Sequence, residues 1–321
     1  MFIPGDRYSF SSFRRKPQRG PRGFSLALII VVALLVVGGG LFLIVRGKLP
    51  VVFAKASGGE TLSQLWSGRQ YAAINVRAEE ILNRRPLDES ALVYNGFAYF
   101  YQGVAAPTLE AKLPLFDNAI EYLRKALLTT NGSLTATIDY VLGKAYYQKG
   151  KYYLDLSIEY LNRSLAGGYN ANDTYEYLGL AYSDLGEYDK GASYFGKALA
   201  QNPSDLLNYI LAQTYYKAGD LAKSEEYLQR TIGKAEESKD SSLEVRGRFL
   251  LGRIETDRKD DAKAEEQYQK ILALDPSSAD AHFFLGNLYE RQDDKIKARA
   301  EWRAALRIDP SHNGARLKLY H

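Results

Sequence analysis

Residues 281–310 read AHFFLGNLYERQDDKIKARAEWRAALRIDP, and the spacing within them decides the fold. Counted from Gly286, the informative positions are Tyr289 at +3, Ala298 at +12, Trp302 at +16, Ala305 at +19 and Pro310 at +24. The same ruler laid on Gly252, 34 residues earlier, meets Ala264 at +12, Tyr268 at +16 and Pro276 at +24. Laid on Gly179, it meets Tyr182, Phe195, Ala198 and Pro203. A fixed period of this length belongs to stacked two-helix units, not to a single globular core.

Each position has a physical reason. Glycine inside a helix costs about 1 kcal/mol against alanine, so its recurrence calls for close helix approach. The small residue at +12 serves the same approach from the second helix, and the large residue at +16 fills the space beside it. Seven residues after the motif position stand Gly103, Gly150, Gly186 and Gly219, expected to end the first helix. Pro203, Pro276 and Pro310 are expected to close the second, because proline cannot continue the hydrogen-bond ladder.

Read this way, residues 57–321 hold about seven units. The first keeps mainly its second helix (Tyr71, Ile74, Ala78, Ile81, Pro86). The second is anchored at Gly96, Tyr99, Ala119, Leu123 and Ala126, with extra residues around Pro107 and Pro114. The third runs Gly143, Tyr146, Gly150, Ser157 and Leu161, and the fifth replaces the motif glycine with Ala212. A polar insertion near 233–244 precedes the last two.

This pattern resembles the tetratricopeptide repeat (TPR) family. The resemblance implies an all-α fold, a TPR α-solenoid, with a surface that holds other proteins and carries out no chemistry. It also implies that the positions three before, one after and four after the motif glycine line a groove. Those positions are Phe97 and Phe100; Tyr140, Lys144 and Tyr147; Glu176; Tyr209, Gln213 and Tyr216; Phe249, Arg253 and Thr256; Phe283 and Asn287. Aromatics dominate this set, and 20 of the 25 tyrosines lie between Tyr94 and Tyr227. Exposed tyrosine suits a protein interface, so Tyr140 and Tyr209 are expected to face a partner. The Lys/Asn/Arg set with which some family members clamp a chaperone's terminal carboxylate is missing, since Val93, Phe97 and Tyr140 stand at the matching positions.

Phe24 to Val45 is 22 residues without a charge, between Arg22 and Arg46. As a helix it would span about 33 Å, enough for a bilayer core. It is longer than the apolar region of a cleaved leader, and Arg46, Lys48 and Lys55 charge the region where cleavage would occur. The expected order is therefore a disordered basic tail (1–23), a transmembrane helix (24–45), a linker (46–56) and the repeats. Arg7, Arg14, Arg15, Lys16, Arg19 and Arg22 against Asp6 give the tail +5, which leaves −1 of the total +4 for the rest. The cation excess places the N-terminus in the cytoplasm and the repeats on the extracytoplasmic, periplasmic side of a cell membrane.

Composition narrows the function classes. There is no cysteine, so no disulfide, thiolate nucleophile or cysteine metal site is available. His282, His312 and His321 have no metal-ligand spacing, and no phosphate loop or nucleophile elbow occurs. No catalytic residue, cofactor or metal is expected. Nucleic acid is disfavoured because the repeats carry no net positive charge. The expected partners are other proteins in the groove and the membrane through residues 24–45; self-association is left open. The leading expectation is a single-pass scaffold in an envelope assembly such as a secretion, cell-wall or flagellar-motor complex. The alternatives are a membrane-tethered chaperone holding exported clients and an organelle-surface receptor with cytosolic repeats.

Overall fold

The computed structural model describes residues 60–320. The expected tail, transmembrane helix and linker lie outside the described residues, among which no helix is long and apolar enough to cross a membrane. The described residues form helices and turns, with no strand among them.

The helices come in consecutive hairpins. They are α1 (Leu62–Ser67) with α2 (Tyr71–Leu82), α3 (Glu89–Ala105) with α4 (Leu109–Ala126), and α5 (Ser133–Gln148) with α6 (Leu154–Ala166). Next come α7 (Thr174–Asp184) with α8 (Tyr188–Gln201) and α9 (Asp205–Ala218) with α10 (Leu221–Ser238). The last are α11 (Ser241–Asp257) with α12 (Asp261–Leu274), and α13 (Ala279–Arg291) with α14 (Lys295–Ile308); α15 (Asn313–Tyr320) follows. Each helix packs on its sequence neighbours, and first helices of adjacent units also touch, α3 with α5, α5 with α7 and α9 with α11. This is the one-dimensional stacking of a solenoid.

Local signals set the ends. The side chains of Asp88, Ser204, Asp220, Asp260, Ser278 and Asp294 each accept a hydrogen bond from the backbone N–H three residues on, starting a helix. Pro203, Pro276 and Pro310 follow the ends of α8, α12 and α14. Gly150, Gly186 and Gly219 take left-handed φ of 93°, 84° and 83° just past their helices. Gly103 differs from the expectation of a helix stop. It lies inside α3, which runs on to Ala105, and a Cβ there would come within 2.8 Å of the Phe116 ring. The extra residues of this unit lengthen both helices, with Pro114 inside α4, so the glycine serves close packing instead.

The motif glycines face the +16 residues as their spacing implies. A Cβ on Gly179 would lie 2.7 Å from Phe195, and one on Gly286 would lie 2.5 Å from Trp302. Phe195 and Tyr268 are fully buried, each worth about 1.5–3 kcal/mol of transfer free energy.

A second periodic device accounts for much of the tyrosine. In four consecutive units the +3 tyrosine of the first helix stacks on a tyrosine of the second. The pairs are Tyr99–Tyr122, Tyr146–Tyr160, Tyr182–Tyr194 and Tyr215–Tyr227, with centroids 5.8, 5.4, 5.4 and 5.6 Å apart and near-parallel planes. Lys125, Arg163, Lys197 and Arg230, each three residues beyond the second tyrosine, place a cation 4.7 to 5.6 Å from its ring. Stacking and cation–π attraction together tie the hairpin along one edge.

Candidate protein-binding face of the first helices

The expected groove residues divide sharply between the two ends of the stack. Phe97, Phe100, Tyr140 and Tyr209 are 3%, 2%, 1% and 6% exposed, and Lys144 is 6% exposed. These five are interior side chains, contrary to the expectation that Tyr140 and Tyr209 face a partner. The reason is the close contact of neighbouring first helices, between which bulky rings are trapped. Phe100 packs against Phe116 at 5.9 Å, and Tyr140 against Tyr169 at 5.4 Å. Tyr147, Gln213, Tyr216, Phe249, Phe283 and Asn287 are half-buried, and Arg253 is exposed.

Lys144 is held in an internal ion pair. Its Nζ lies 2.7 Å from Asp173 Oδ2 and donates to the Tyr140 hydroxyl at 3.0 Å, while Tyr140 donates to the other Asp173 oxygen. The rings of Tyr177, Tyr140 and Phe100 surround the ammonium at 4.6, 5.0 and 5.9 Å. Burial works against the charge, but Tyr177 and Asp173 outweigh it and the Lys144 pKa ends above its ordinary value. The lysine joins the third unit to the fourth and is not offered to a ligand.

The fifth to seventh units are different. Tyr216 of α9, Arg253 and Asp257 of α11, and Phe284, Asn287 and Arg291 of α13 surround a pocket of about 190 Å³. Three of the expected residues, Tyr216, Arg253 and Asn287, meet here, one from each of three consecutive first helices. The Tyr216 hydroxyl donates to Asp257 Oδ2 at 2.7 Å, and the Arg253 guanidinium lies 5.1 Å from the same ring. Arg291 donates to the Thr256 carbonyl at 3.0 Å and pairs with Asp261 Oδ1 at 3.0 Å. Asn287 Oδ1 accepts from the Trp302 indole at 3.1 Å, which fixes the amide. Burial pushes the Tyr268 phenol at the pocket wall up to about 12, and burial with the Asp257 contact raises Tyr216, so both hydroxyls stay protonated at neutral pH.

Asp257 and Arg291 were missed by the sequence reading, although the ruler marks them. Both stand at +5, and +5 residues pair across unit junctions. Tyr147 at +4 donates to Asp184 at +5 of the next unit at 3.1 Å, as Tyr216 does to Asp257. His282 Nδ1 lies 2.6 Å from Glu301, and among the described residues no His, Asp and Glu group has the arrangement to hold a metal.

The family model of the tetratricopeptide repeat matches three overlapping windows, 177–241, 211–279 and 249–313. Residues 177–313 are tetratricopeptide repeats. The hairpins of α1 to α6 continue the same stacking toward the N-terminus. Among solved structures, the C-terminal part of a TPR repeat-containing protein from Cytophaga hutchinsonii shares the fold with a TM-score of 0.63. It is 17% identical and covers 81% of this chain and 98% of its own. MamA from Desulfovibrio magneticus RS-1 is 20% identical over 56% of this chain and 97% of its own, with a TM-score of 0.48. A search of curated proteins finds no match.

Proposed function

We propose that this chain is a membrane-anchored TPR scaffold that holds a partner protein on the first-helix face of its fifth to seventh units. The pocket shared by Tyr216, Arg253 and Asn287 carries the reading. Tyrosine and arginine are the side chains over-represented where binding energy concentrates in protein interfaces. At about 190 Å³ the pocket is smaller than the roughly 300–1,000 Å³ of metabolite sites, and it suits one inserted side chain of a larger partner. No catalytic step is assigned to it.

The anchor and orientation rest on the sequence: an uncharged run from Phe24 to Val45 and the +5 tail before it. They make the chain single-pass, with the N-terminus cytoplasmic and the repeats extracytoplasmic, in an envelope assembly. The tethered-chaperone alternative drew on a broad exposed aromatic groove. Burial of Phe97, Phe100, Tyr140 and Tyr209 weakens that support.

Affinity capture of the full chain from membranes tests the binding reading. A stoichiometric partner retained by the wild type and lost by Tyr216→Ala/Arg253→Ala at unchanged helicity is expected. Equal capture by both proteins would contradict it. Protease added to sealed right-side-out cells or spheroplasts is expected to digest the repeats; protection there, with digestion in inverted vesicles, would reverse the orientation.

A further inference from the structure

One carboxylate on the first-helix face lacks a counter-charge. Glu176 stands three residues before Gly179, half-buried, and among the described residues it has no hydrogen-bond or ion-pair partner. Burial, and then the neighbouring Asp173, raise its pKa, while Lys144 opposes them. Lys144, however, is already engaged by Asp173 at 2.7 Å and by Tyr140 at 3.0 Å. Two carboxylates thus share one cation.

The surroundings are aromatic and hydroxylated. Tyr101 lies in the field of Lys144, Tyr71, Tyr169 and Asp173. Tyr169 packs on Tyr140 at 5.4 Å, and its buried hydroxyl has no hydrogen-bond partner among the described residues. The molecule itself shows what such surroundings accept. The Lys144 ammonium sits 4.6 Å from the Tyr177 ring centre and 5.0 Å from that of Tyr140, against a carboxylate. Rings and a carboxylate together attract organic cations, by quadrupole and by charge.

We propose that Glu176, with the tyrosines around the Lys144–Asp173 pair, receives a lysine or arginine side chain from a basic segment of the partner protein. This rests on the reading of the first-helix face as a protein-binding surface and adds the chemistry of what binds. Anionic occupants such as nucleic acid or acidic peptides would meet repulsion at this point. A basic segment meets the missing counter-charge and an aromatic wall.

The full chain in lipid discs, titrated with a fluorescent lysine-rich peptide and followed by anisotropy, tests the proposal. Glu176→Gln removes the charge and keeps the shape, and it is expected to weaken binding by about ten-fold or more. Glu237→Gln, on the exposed end of α10, is expected to bind as the wild type does. The same peptide with its lysines acetylated is expected to fail. Unchanged affinity of Glu176→Gln, or equal binding of the acetylated peptide, would overturn the assignment. A Glu176-dependent dimer in sedimentation would give the cation to a second copy and also overturn it. If Glu176→Gln is silent while Tyr216→Ala/Arg253→Ala loses the native partner, this inference alone falls. If neither variant alters capture, the reading of the whole face falls with it.

Discussion

Gly179 and Phe195 are locked together: a Cβ on the glycine would sit 2.7 Å from the ring it faces. The α7–α8 hairpin therefore depends on the absence of a side chain. Gly179→Ala gains helix propensity but forces Phe195 aside, at a net cost of about 1–3 kcal/mol. Gly196 and Gly233 lie in α8 and α10, and a Cβ added at either would meet nothing within 4 Å. Alanine at either is expected to stabilise by about 0.4–1 kcal/mol. Urea unfolding of the three variants checks both signs; stabilisation by Gly179→Ala would contradict the packing.

Removing one partner of a buried ion pair costs more than removing both. Lys144→Met leaves Asp173 charged in the interior and is expected to destabilise by about 3–5 kcal/mol. Lys144→Met/Asp173→Asn is expected to recover a large part of that loss. Denaturant midpoints of the single and double variants decide; equal loss in both would mean the pair does not act as a unit.

Tyr140→Ala empties an interior site and is expected to cost about 3–5 kcal/mol, comparable with other buried aromatics. Tyr209→Ala is expected to behave in the same way. A melting temperature unchanged by either substitution would return these rings to the surface.

Asp220, Asp260 and Asp294 give the C-terminal units an acid limit. Hydrogen bonds from the backbone of Lys223 and Lys297 lower Asp220 and Asp294, and the Lys263 side chain, followed by its backbone N–H, lowers Asp260, all from 3.8. A depressed folded pKa contributes stability that is fully present above the unfolded value and lost as pH falls through the folded one. Asparagine keeps the cap acceptor and does not titrate. The triple Asp→Asn variant is therefore expected to lose less stability than the wild type as pH falls below about 3.8. Parallel loss in both proteins would contradict the cap assignment.

The fold was legible because its determinants are local. Gly286, Trp302 and Pro310 announce a close approach, a filled space and a helix stop within one unit, and the structure places all three accordingly. Gly103 was misread because inserted residues moved the helix end without moving the glycine. The candidate face was legible only in part. Position +4 of the ruler identified Tyr216, but the same ruler assigned Tyr140, at −3, to the groove with equal force. Which of the two is exposed depends on how tightly neighbouring first helices approach, a property of adjacent units together. The stacked tyrosines show the same limit: Tyr122 and Tyr194 looked like surplus surface residues because their partners are on another helix.

Photocrosslinking in intact cells tests the central claim most directly. A photoreactive amino acid placed at Arg253 or Asn287 probes the first-helix face, and one at Ile296, 85% exposed on α14, probes the second helices. The account predicts a discrete protein adduct from the two first-helix positions and none from Ile296. Adducts from Ile296 alone would contradict it.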